Sequence, residues 1–466
     1  MVQAVDTSYL SIAELAALYR QRDVSPVEVT QHLLERTAGL QERLHAYITL
    51  TPELALAEAR QAESALLRGE TASPLLGIPV AYPVAYKDIV MTKGIRTTCG
   101  SALHLDWVPE QDAAVVEQWR AAGTVMLGKL TTWEFASGAQ ALDHAISGAR
   151  NPWNLAHSPA GSSSGSGAAL AAGLVAGAIG TDTGGSIRGP AAYCGITGLK
   201  PTYGRVSRRG IVTLSWSLDH AGPMGRTAED VAYLLTPLAG YDAADPASAK
   251  VPAEDYVAAL RRGIGGLRLG LATNVLEMAD ENVRQATQAA AEVFRGLGTV
   301  VEPVTYPYRE LAAALRVILS SEAYAYHATD LAELPRKYGR QLEHRTKAGG
   351  LYFASEYIQA QRVRTIIQRA VAELFQHIDL LLCPTMPTEP PTYEESLADA
   401  WMRRPGITNL FNLTGQPAVA FPTGFSAQAL PLSAQLVGRP FDEATVLRAA
   451  HLYQGVTDWH KRHPAL

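Results

Sequence analysis

Apolar residues recur at helical spacing through the first seventy residues of the chain. The segments SIAELAALYRQ, SPVEVTQHLLERTAGL and PELALAEARQAESALLRG each repeat apolar positions every three or four residues. That spacing is typical of helices that bury one face. Ser11 and Ser25 precede two of these segments and are predicted N-caps, because a serine hydroxyl can accept a hydrogen bond from the first helical turn. The pattern predicts an N-terminal helical segment over residues 1–70.

From Leu75 onward, short apolar runs alternate with helical ones. GIPVAYPVAY and TVMLGKL have the composition of buried strands, and DAAVVEQWRAAG between them has helical spacing. RLGLATN, near 268–274, and HIDLLLCPT, near 377–385, are predicted as later core strands, whereas residues 310–375 are helical and polar and could cap a cleft. This alternation predicts an α/β fold with helices on the faces of a sheet.

Composition excludes several classes of function. The chain has 466 residues, of which 47% are hydrophobic and 18% charged, and a net charge of -5. So small a charge favours neither a nucleic acid nor a membrane surface as a partner. Its three cysteines are far apart, which argues against a disulfide framework and for a reducing, cytoplasmic location. We find no metal-binding motif, signal peptide, membrane-spanning segment or linker, and expect one cofactor-free domain over residues 1–466.

Residues 159–189 carry the strongest chemical signal. They read PAGSSSGSG, AALAAGLVAGAIG and TDTGGSIRG, so two serine clusters flank a run of small apolar residues. A flexible linker would resemble the first cluster, but linkers are seldom followed by such a helix-forming run. A nucleophile elbow would match GSSSG at 161–165, but an elbow needs a preceding strand, which NPWNLAHSPA does not predict. The remaining interpretation is a catalytic pair of serines served by Lys87.

Several long motifs identify a family. AGSSSGSGAALAAG, GTDTGGSIR, PVAYKDIVMTKGIRTTCGS, GITGLKPTYGRVS, SLDHAGPMGRT and LPLSAQLVGRPFDEATVL all occur in the chain. Together they closely resemble the amidase signature family of serine hydrolases. The resemblance covers nearly the whole chain. It implies a large mixed β-sheet core with helices on both faces. It also implies that the catalytic residues lie in a signature segment at residues 75–235.

The resemblance also implies the roles of individual residues. Ser186 of GGSIR would be the nucleophile, Ser162 a bridging serine after a cis peptide bond, and Lys87 the general base. A lysine can remove a proton only when neutral, so its pKa must fall well below the free value of about 10.4. The backbone N–H groups of Thr183, Gly184, Gly185 and Ser186 could form the oxyanion hole, since glycines let the backbone approach the substrate.

Three neighbours of these residues are predicted to support them. Asp182 and Arg188 flank the nucleophile and are expected to pair and stiffen its loop. Ser163 either orients Lys87 or is an ordinary turn hydroxyl. No metal ligand is predicted.

The predicted substrate pocket contains three residues. Ala136 and Ser137 follow TTWEF, a segment that comes close to the active site in the family. Trp216 either lines the pocket or belongs to the core, where large apolar residues are usually found.

The chain departs from the family pattern in the cleft. Ala160 and Ser164 replace glycines, and LTTWEF replaces the usual TNxxEF. PVAY occurs twice in tandem, at Pro79–Tyr82 and Pro83–Tyr86, just before Lys87. The repeat is either a short loop insertion or a change that reshapes the cleft wall.

We therefore expect a hydrolase of carboxylic amides, with esters and carbamates also open as substrates. The expected partner is a small-molecule amide, with no nucleic acid and no membrane, and a homodimer is left open. One alternative is a glutamine-hydrolysing A-type subunit of a transamidation complex. Residues 320–345 lack the segment typical of that subunit, which favours a stand-alone amidase. The other alternative is a binding protein without catalysis on the same scaffold.

Overall fold

The computed structural model describes residues 6–69, 81–137, 146–307, 311–397 and 406–466. Within these ranges, eleven strands form one mixed sheet in the order β1-β3-β2-β4-β6-β5-β10-β11-β9-β7-β8. Their bounds are β1 (Tyr47–Leu50), β2 (Pro83–Lys87), β3 (Val125–Leu130), β4 (Gly177–Asp182), β5 (Thr197–Lys200), β6 (His220–Gly225), β7 (Arg268–Ala272), β8 (Val300–Val304), β9 (Leu380–Pro384), β10 (Ala418–Phe425) and β11 (Pro431–Val437).

Sixteen α-helices accompany the sheet in the described ranges, and the predicted α/β fold is confirmed. They are α1 (Ile12–Gln21), α2 (Pro26–Leu44), α3 (Pro52–Leu67), α4 (Ala114–Ala121), α5 (Ser164–Ala171), α6 (Arg188–Cys194), α7 (Ala228–Leu235), α8 (Tyr256–Ala259), α9 (Thr273–Leu276), α10 (Glu281–Gly296), α11 (Leu311–Glu333), α12 (Arg340–Gly349), α13 (Ala354–His377), α14 (Tyr393–Leu397), α15 (Asn409–Thr414) and α16 (Glu443–Gly455).

The N-terminal segment forms the three predicted helices. Ser11 and Ser25 cap α1 and α2, and each takes part in a capping box with a glutamate three residues later. A short strand was not predicted there: β1 lies between α2 and α3 and pairs antiparallel with β3. Four residues are too few to show an alternating pattern, and this strand forms only because the edge of β3 is available.

The middle of the sheet sets the position of the chemistry. Strands β2 and β4 are parallel neighbours, with Tyr86 opposite Ile179, and every residue of both strands is buried. Parallel neighbours end at the same edge of a sheet, where ligands commonly bind in α/β folds. Lys87 at the end of β2 and Asp182 at the end of β4 therefore lie at the same edge.

Other predicted elements are also present. The runs near 268–274 and 377–385 contain β7 and β9, and the polar segment at 310–375 contains α11, α12 and α13. The second PVAY copy is most of β2, whereas Pro79 and Val80 of the first copy lie outside the described residues. The proposed division of the chain stays a prediction. Within the described ranges, no helix is both long and apolar enough to cross a membrane.

Trp119 supports the strand that carries Lys87. Its side chain is fully buried, its indole N–H donates to the Leu234 carbonyl at 3.1 Å, and its ring lies 5.4 Å from that of Tyr86. We expect Trp119→Ala to lower the free energy of unfolding by about 3–5 kcal/mol, because a large cavity opens beneath β2. Denaturant unfolding would measure the loss. The matched control is Trp216→Ala, since Trp216 is 59% exposed, and an equal loss in both variants would contradict this role.

Candidate active site

Lys87 ends β2 in a fully buried position. Its Nζ atom lies 2.6 Å from Ser162 Oγ and 2.8 Å from Thr181 Oγ1. The peptide bond between Gly161 and Ser162 is cis, as predicted. The structure therefore brings Lys87 and Ser162, which are far apart in sequence, into direct contact.

Burial adjusts the basicity of Lys87. It lowers the pKa of the ammonium group to about 7, because a charged amine is poorly solvated there, while the Asp182 and Asp219 carboxylates oppose the shift. Near neutral pH a large fraction of Lys87 is then neutral. A neutral amine with a serine hydroxyl at hydrogen-bonding distance can accept its proton.

Asp182 and Arg188 form the predicted pair. Both side chains are fully buried, with Arg188 Nη2 3.0 Å from Asp182 Oδ1 and Nε 3.0 Å from Oδ2. Asn412 on α15 donates to the same carboxylate at 2.8 Å. Burial by itself would raise the pKa of Asp182, but the Arg188 guanidinium outweighs it and holds that pKa below its usual range. This network of ionised, hydrogen-bonded side chains fixes the loop between β4 and α6.

Ser186 lies on that loop, between the end of β4 and the first turn of α6. The residue is half-buried, its carbonyl accepts the Ser163 N–H at 3.3 Å, and its hydroxyl has no hydrogen-bond partner among the described residues. Residues 158–163 form no strand, so the elbow interpretation of Ser163 lacks its structural context. The Ser186 hydroxyl therefore makes no hydrogen bond with Ser162, the predicted bridging serine, and its role as nucleophile stays a prediction.

The loop of Ser186, between β4 and α6, offers fewer unpaired amides than predicted. The Gly185 N–H donates to Asp182 Oδ1 at 2.8 Å and is therefore occupied. The Thr183, Gly184 and Ser186 N–H groups have no partner in the described part of the chain. Gly185 is required for a different reason: its φ is +124°, and a Cβ there would lie 2.1 Å from Thr408 Oγ1.

Ser163 forms no hydrogen bond with Lys87. Its hydroxyl donates to the Thr181 carbonyl and accepts the Thr181 N–H, both at 3.3 Å. It is thus a turn hydroxyl that holds β4, and the second partner of Lys87 is Thr181, which was not predicted. A signal was available, because Thr181 belongs to GTDTGGSIR and lies at the end of the strand parallel to β2.

A cavity of about 270 Å³ adjoins these residues. Thr181, Thr183 and Asp219 line it, so it reaches the partner of Lys87 and the loop of Ser186. Of the predicted pocket residues, Ala136 and Trp216 line the cavity and Ser137 does not. Trp216 is 59% exposed, which makes its interpretation as a core residue wrong.

Trp133, in the segment that departs from the family pattern, closes another side of the site. A Cβ on Gly161 would lie 2.1 Å from the Trp133 ring, and the Trp133 backbone N–H donates to the Ser162 carbonyl at 3.1 Å. The ring therefore covers the residue that precedes Ser162, and only glycine fits beneath it.

Comparisons with known proteins agree with this geometry. A sequence profile of the family described as Amidase matches residues 28–447. The chain belongs to the amidase signature family. It is 42% identical to the A-type subunit of the glutamyl-tRNA(Gln) amidotransferase of Methylococcus capsulatus, over 98% of both chains.

Solved structures of the family superpose closely. One, from a study of a vestigial protein complex and the origins of an s-triazine catabolic enzyme, has a TM-score of 0.89 at 32% identity, covering 96% of this chain and 98% of the other. The peptide amidase of Stenotrophomonas maltophilia has a TM-score of 0.82 at 32% identity, covering 97% of each chain. These proteins share the architecture that holds the site.

The predicted set of partners is wrong. It comprised a small-molecule amide and, at most, a second copy of the chain. Relatives that match over nearly their full length are named as A-type subunits of a glutamyl-tRNA(Gln) amidotransferase, and subunits work with other protein chains.

The pKa of Lys87 predicts the pH dependence of acylation. If neutral Lys87 is the base, kcat/KM should rise with pH through an apparent pKa of about 7. Asp219→Asn removes a negative charge that stabilises the ammonium form, so the rising limb should move to lower pH. The measurement is kcat/KM against pH for two amides without ionisable groups. A limb that persists unchanged in Lys87→Ala would show that another group titrates.

Thr181 is predicted to hold Lys87 for proton transfer. Thr181→Val keeps the shape but leaves Nζ without its second acceptor, so we expect kcat/KM to fall about tenfold. Thr181→Ser retains the hydroxyl and should retain most activity. Equal activity of the valine and serine variants would mean that the contact at 2.8 Å is incidental.

Proposed function

We propose that this chain is a serine amidohydrolase that cleaves a carboxamide through an acyl-enzyme. The observation that carries the proposal is the contact of 2.6 Å between the buried Lys87 and Ser162, beside a cavity that reaches the loop of Ser186. A serine hydroxyl needs a base to become a nucleophile. Burial lowers the pKa of Lys87 to about 7, so its neutral amine is available as that base near neutral pH. The same acyl-enzyme route would accept esters and carbamates.

The proposed reaction runs in two halves. Ser186 Oγ attacks the amide carbon while its proton passes to Ser162, whose own proton passes to Lys87. The N–H groups of Thr183 and Gly184 are the proposed donors to the developing oxyanion. The C–N bond then breaks, and Lys87 returns the proton through Ser162 to the leaving amine. Water repeats the sequence on the acyl-enzyme and releases the carboxylate.

The proposed amide donor is glutamine, with this chain as the A-type subunit of a transamidation complex. The identity of 42% to a relative named as such a subunit, over 98% of both chains, supports this choice over a stand-alone amidase. In that role the released ammonia would be used by partner chains. A cytoplasmic location remains part of the proposal.

A second candidate is the hydrolysis of other amides without partner chains. The match to a peptide amidase, at 32% identity over 97% of each chain, favours it. Both candidates share the chemistry at Ser186 and differ in the substrate and in the use of the ammonia.

Ammonia release separates these candidates and tests the nucleophile. The purified chain, alone and with proteins co-purified from its host, is assayed with glutamine, asparagine and peptide amides. Turnover of glutamine that rises with co-purified chains supports the role in a transamidation complex. Turnover of peptide amides by the chain alone supports the second candidate.

Ser186→Ala is expected to abolish turnover of every substrate and labelling by a fluorophosphonate probe while the protein stays folded. Ser166→Ala is the matched control, because its hydroxyl makes only a weak contact of 3.5 Å with the Ile179 carbonyl. Circular dichroism checks the fold, and mass spectrometry locates the label. A label on Ser163 would overturn the assignment, and absence of labelling in the wild type would favour a non-catalytic binding protein.

A further inference from the structure

Glu322 is a buried carboxylate that the proposed reaction does not use. It lies on α11, is 7% exposed, and accepts four hydrogen bonds. Ser215 Oγ donates at 2.6 Å, the Ser217 N–H at 3.1 Å and Ser217 Oγ at 2.7 Å. The fourth donor is the Tyr357 hydroxyl on α13, at 2.8 Å. Three of the four donors thus come from the turn at residues 214–219.

That turn forms one wall of the cavity, and hydrogen bonds to the Asp219 carboxylate hold its backbone together. Asp219 accepts the Leu214 N–H at 2.9 Å and the Ser215 N–H at 3.0 Å. It also accepts the Thr183 hydroxyl at 2.6 Å. The carboxylate therefore joins the turn to the loop of the nucleophile, at the residue whose N–H is a proposed oxyanion donor.

The hydrogen bonds form one connected path. It begins at Glu322 on α11, crosses the turn through Ser215 and reaches Thr183 through Asp219. Glu322, Ser215 and Thr183 are buried, and Asp219 is half-buried at the wall of the cavity, so most of the path is shielded from competing water. A displacement of α11 would be transmitted along this path to the oxyanion loop.

A second contact holds the same turn. Arg364 on α13 donates through Nη2 to the Ser217 carbonyl at 3.1 Å and through Nε to the Leu413 carbonyl at 2.8 Å. Leu413 belongs to α15, and Thr408, which precedes that helix, donates its hydroxyl to the Gly184 carbonyl at 2.8 Å. Helices α11 and α13 therefore support the nucleophile loop from two sides.

The need to fasten α11 to the rest of the protein does not explain why a carboxylate is buried at Glu322. Leu315 and Ile318 on the same helix are buried in an apolar cluster with Phe411. Apolar packing fastens a helix without the desolvation cost of a carboxylate, and replacing buried ionic groups by apolar ones is often neutral or stabilising. The carboxylate is better explained by what it orients.

We propose that Glu322 is a positioning residue that holds Thr183, through Asp219, in the place where the oxyanion forms. The inference rests on the proposed function, because it needs Ser186 to react. It makes the position of helices α11 and α13 a determinant of activity, although neither helix supplies a reacting group.

The test uses a fluorophosphonate probe on the full chain, because this reagent reacts with an activated serine whatever the natural substrate. In Glu322→Gln one acceptor oxygen becomes an NH2 donor that faces Ser215, Ser217 or Tyr357. We expect the second-order labelling rate to fall about 10- to 100-fold, as for a misplaced oxyanion donor. Tyr357→Phe, which leaves all three donors of the turn in place, should label within about twofold of the wild type.

A double-mutant cycle separates positioning from general destabilisation. If Glu322 acts through Asp219, adding Glu322→Gln to Asp219→Asn should slow labelling by less than about twofold further. The control for loss of a carboxylate in this segment is Glu343→Gln on α12. Glu343 forms an ion pair of 2.6 Å with Lys347 of the same helix. Thermal unfolding of each variant is measured in parallel.

Each outcome decides the question. Slow labelling of Glu322→Gln with a non-additive cycle supports the inference. If the glutamine variant fails to fold, Ser215→Ala takes its place, since Ser215 Oγ is the link from Glu322 to the turn; slow labelling of that variant supports the inference, and labelling at the wild-type rate overturns it. Additive losses, or labelling of Glu322→Gln at the wild-type rate, would overturn it. A wild-type chain that is not labelled overturns the proposed function instead, and the inference with it.

Discussion

The site depends on a lysine buried against hydroxyl groups rather than against a carboxylate. Lys87 and Lys129 lie on neighbouring strands, both fully buried, yet they differ in their partners. Lys129 Nζ lies 3.3 Å from Asp88, whose carboxylate opposes the lowering of the Lys129 pKa by burial. Lys87 has Ser162 and Thr181 at hydrogen-bonding distance, and no carboxylate of the described chain forms an ion pair with it. Burial lowers the pKa of Lys87 to about 7, so a large fraction of its amine is neutral near pH 7.

The loop of Ser186 is held by the opposite arrangement, a fully paired ion network. Asp182 is bonded by Arg188, Asn412 and the Gly185 N–H, so its charge is compensated on every side. Any other conformation of the loop would break this buried pair and leave an uncompensated charge. The loop therefore has a single low-energy conformation. One consequence is that the Gly185 N–H serves the loop and not the substrate. Burial therefore has different effects in the two halves of the site. It favours the neutral form of Lys87, and it strengthens the ion pair of Asp182 that fixes the backbone of the loop.

The wrong prediction of the partners has a physical cause. The chemistry proposed at Ser186 ends with the release of an amine, and nothing in the acyl-enzyme step depends on where that amine goes. Motifs around Lys87, Ser162 and Ser186 are therefore compatible with a stand-alone amidase and with one chain of an amidotransferase. Surfaces that bind partner chains are spread over residues distant in sequence, and they leave no short motif. The full-length similarity to named subunits is what indicates partner chains.

Local sequence determined the helices with their serine caps, because a cap and the turn that it closes are near in sequence. Short motifs also predicted the buried strands around Lys87 and the position of Ser186, although Asn412 and Thr408, distant in sequence, hold the loop of Ser186 in place. The cis bond before Ser162 was predicted from the family pattern and is present. Only the tertiary structure decided that Thr181 contacts Lys87, that Trp216 is exposed and that Glu322 supports the turn beside the cavity. These contacts join residues on different strands and helices, and the packing of the sheet against the helices, rather than any local pattern, brings them together.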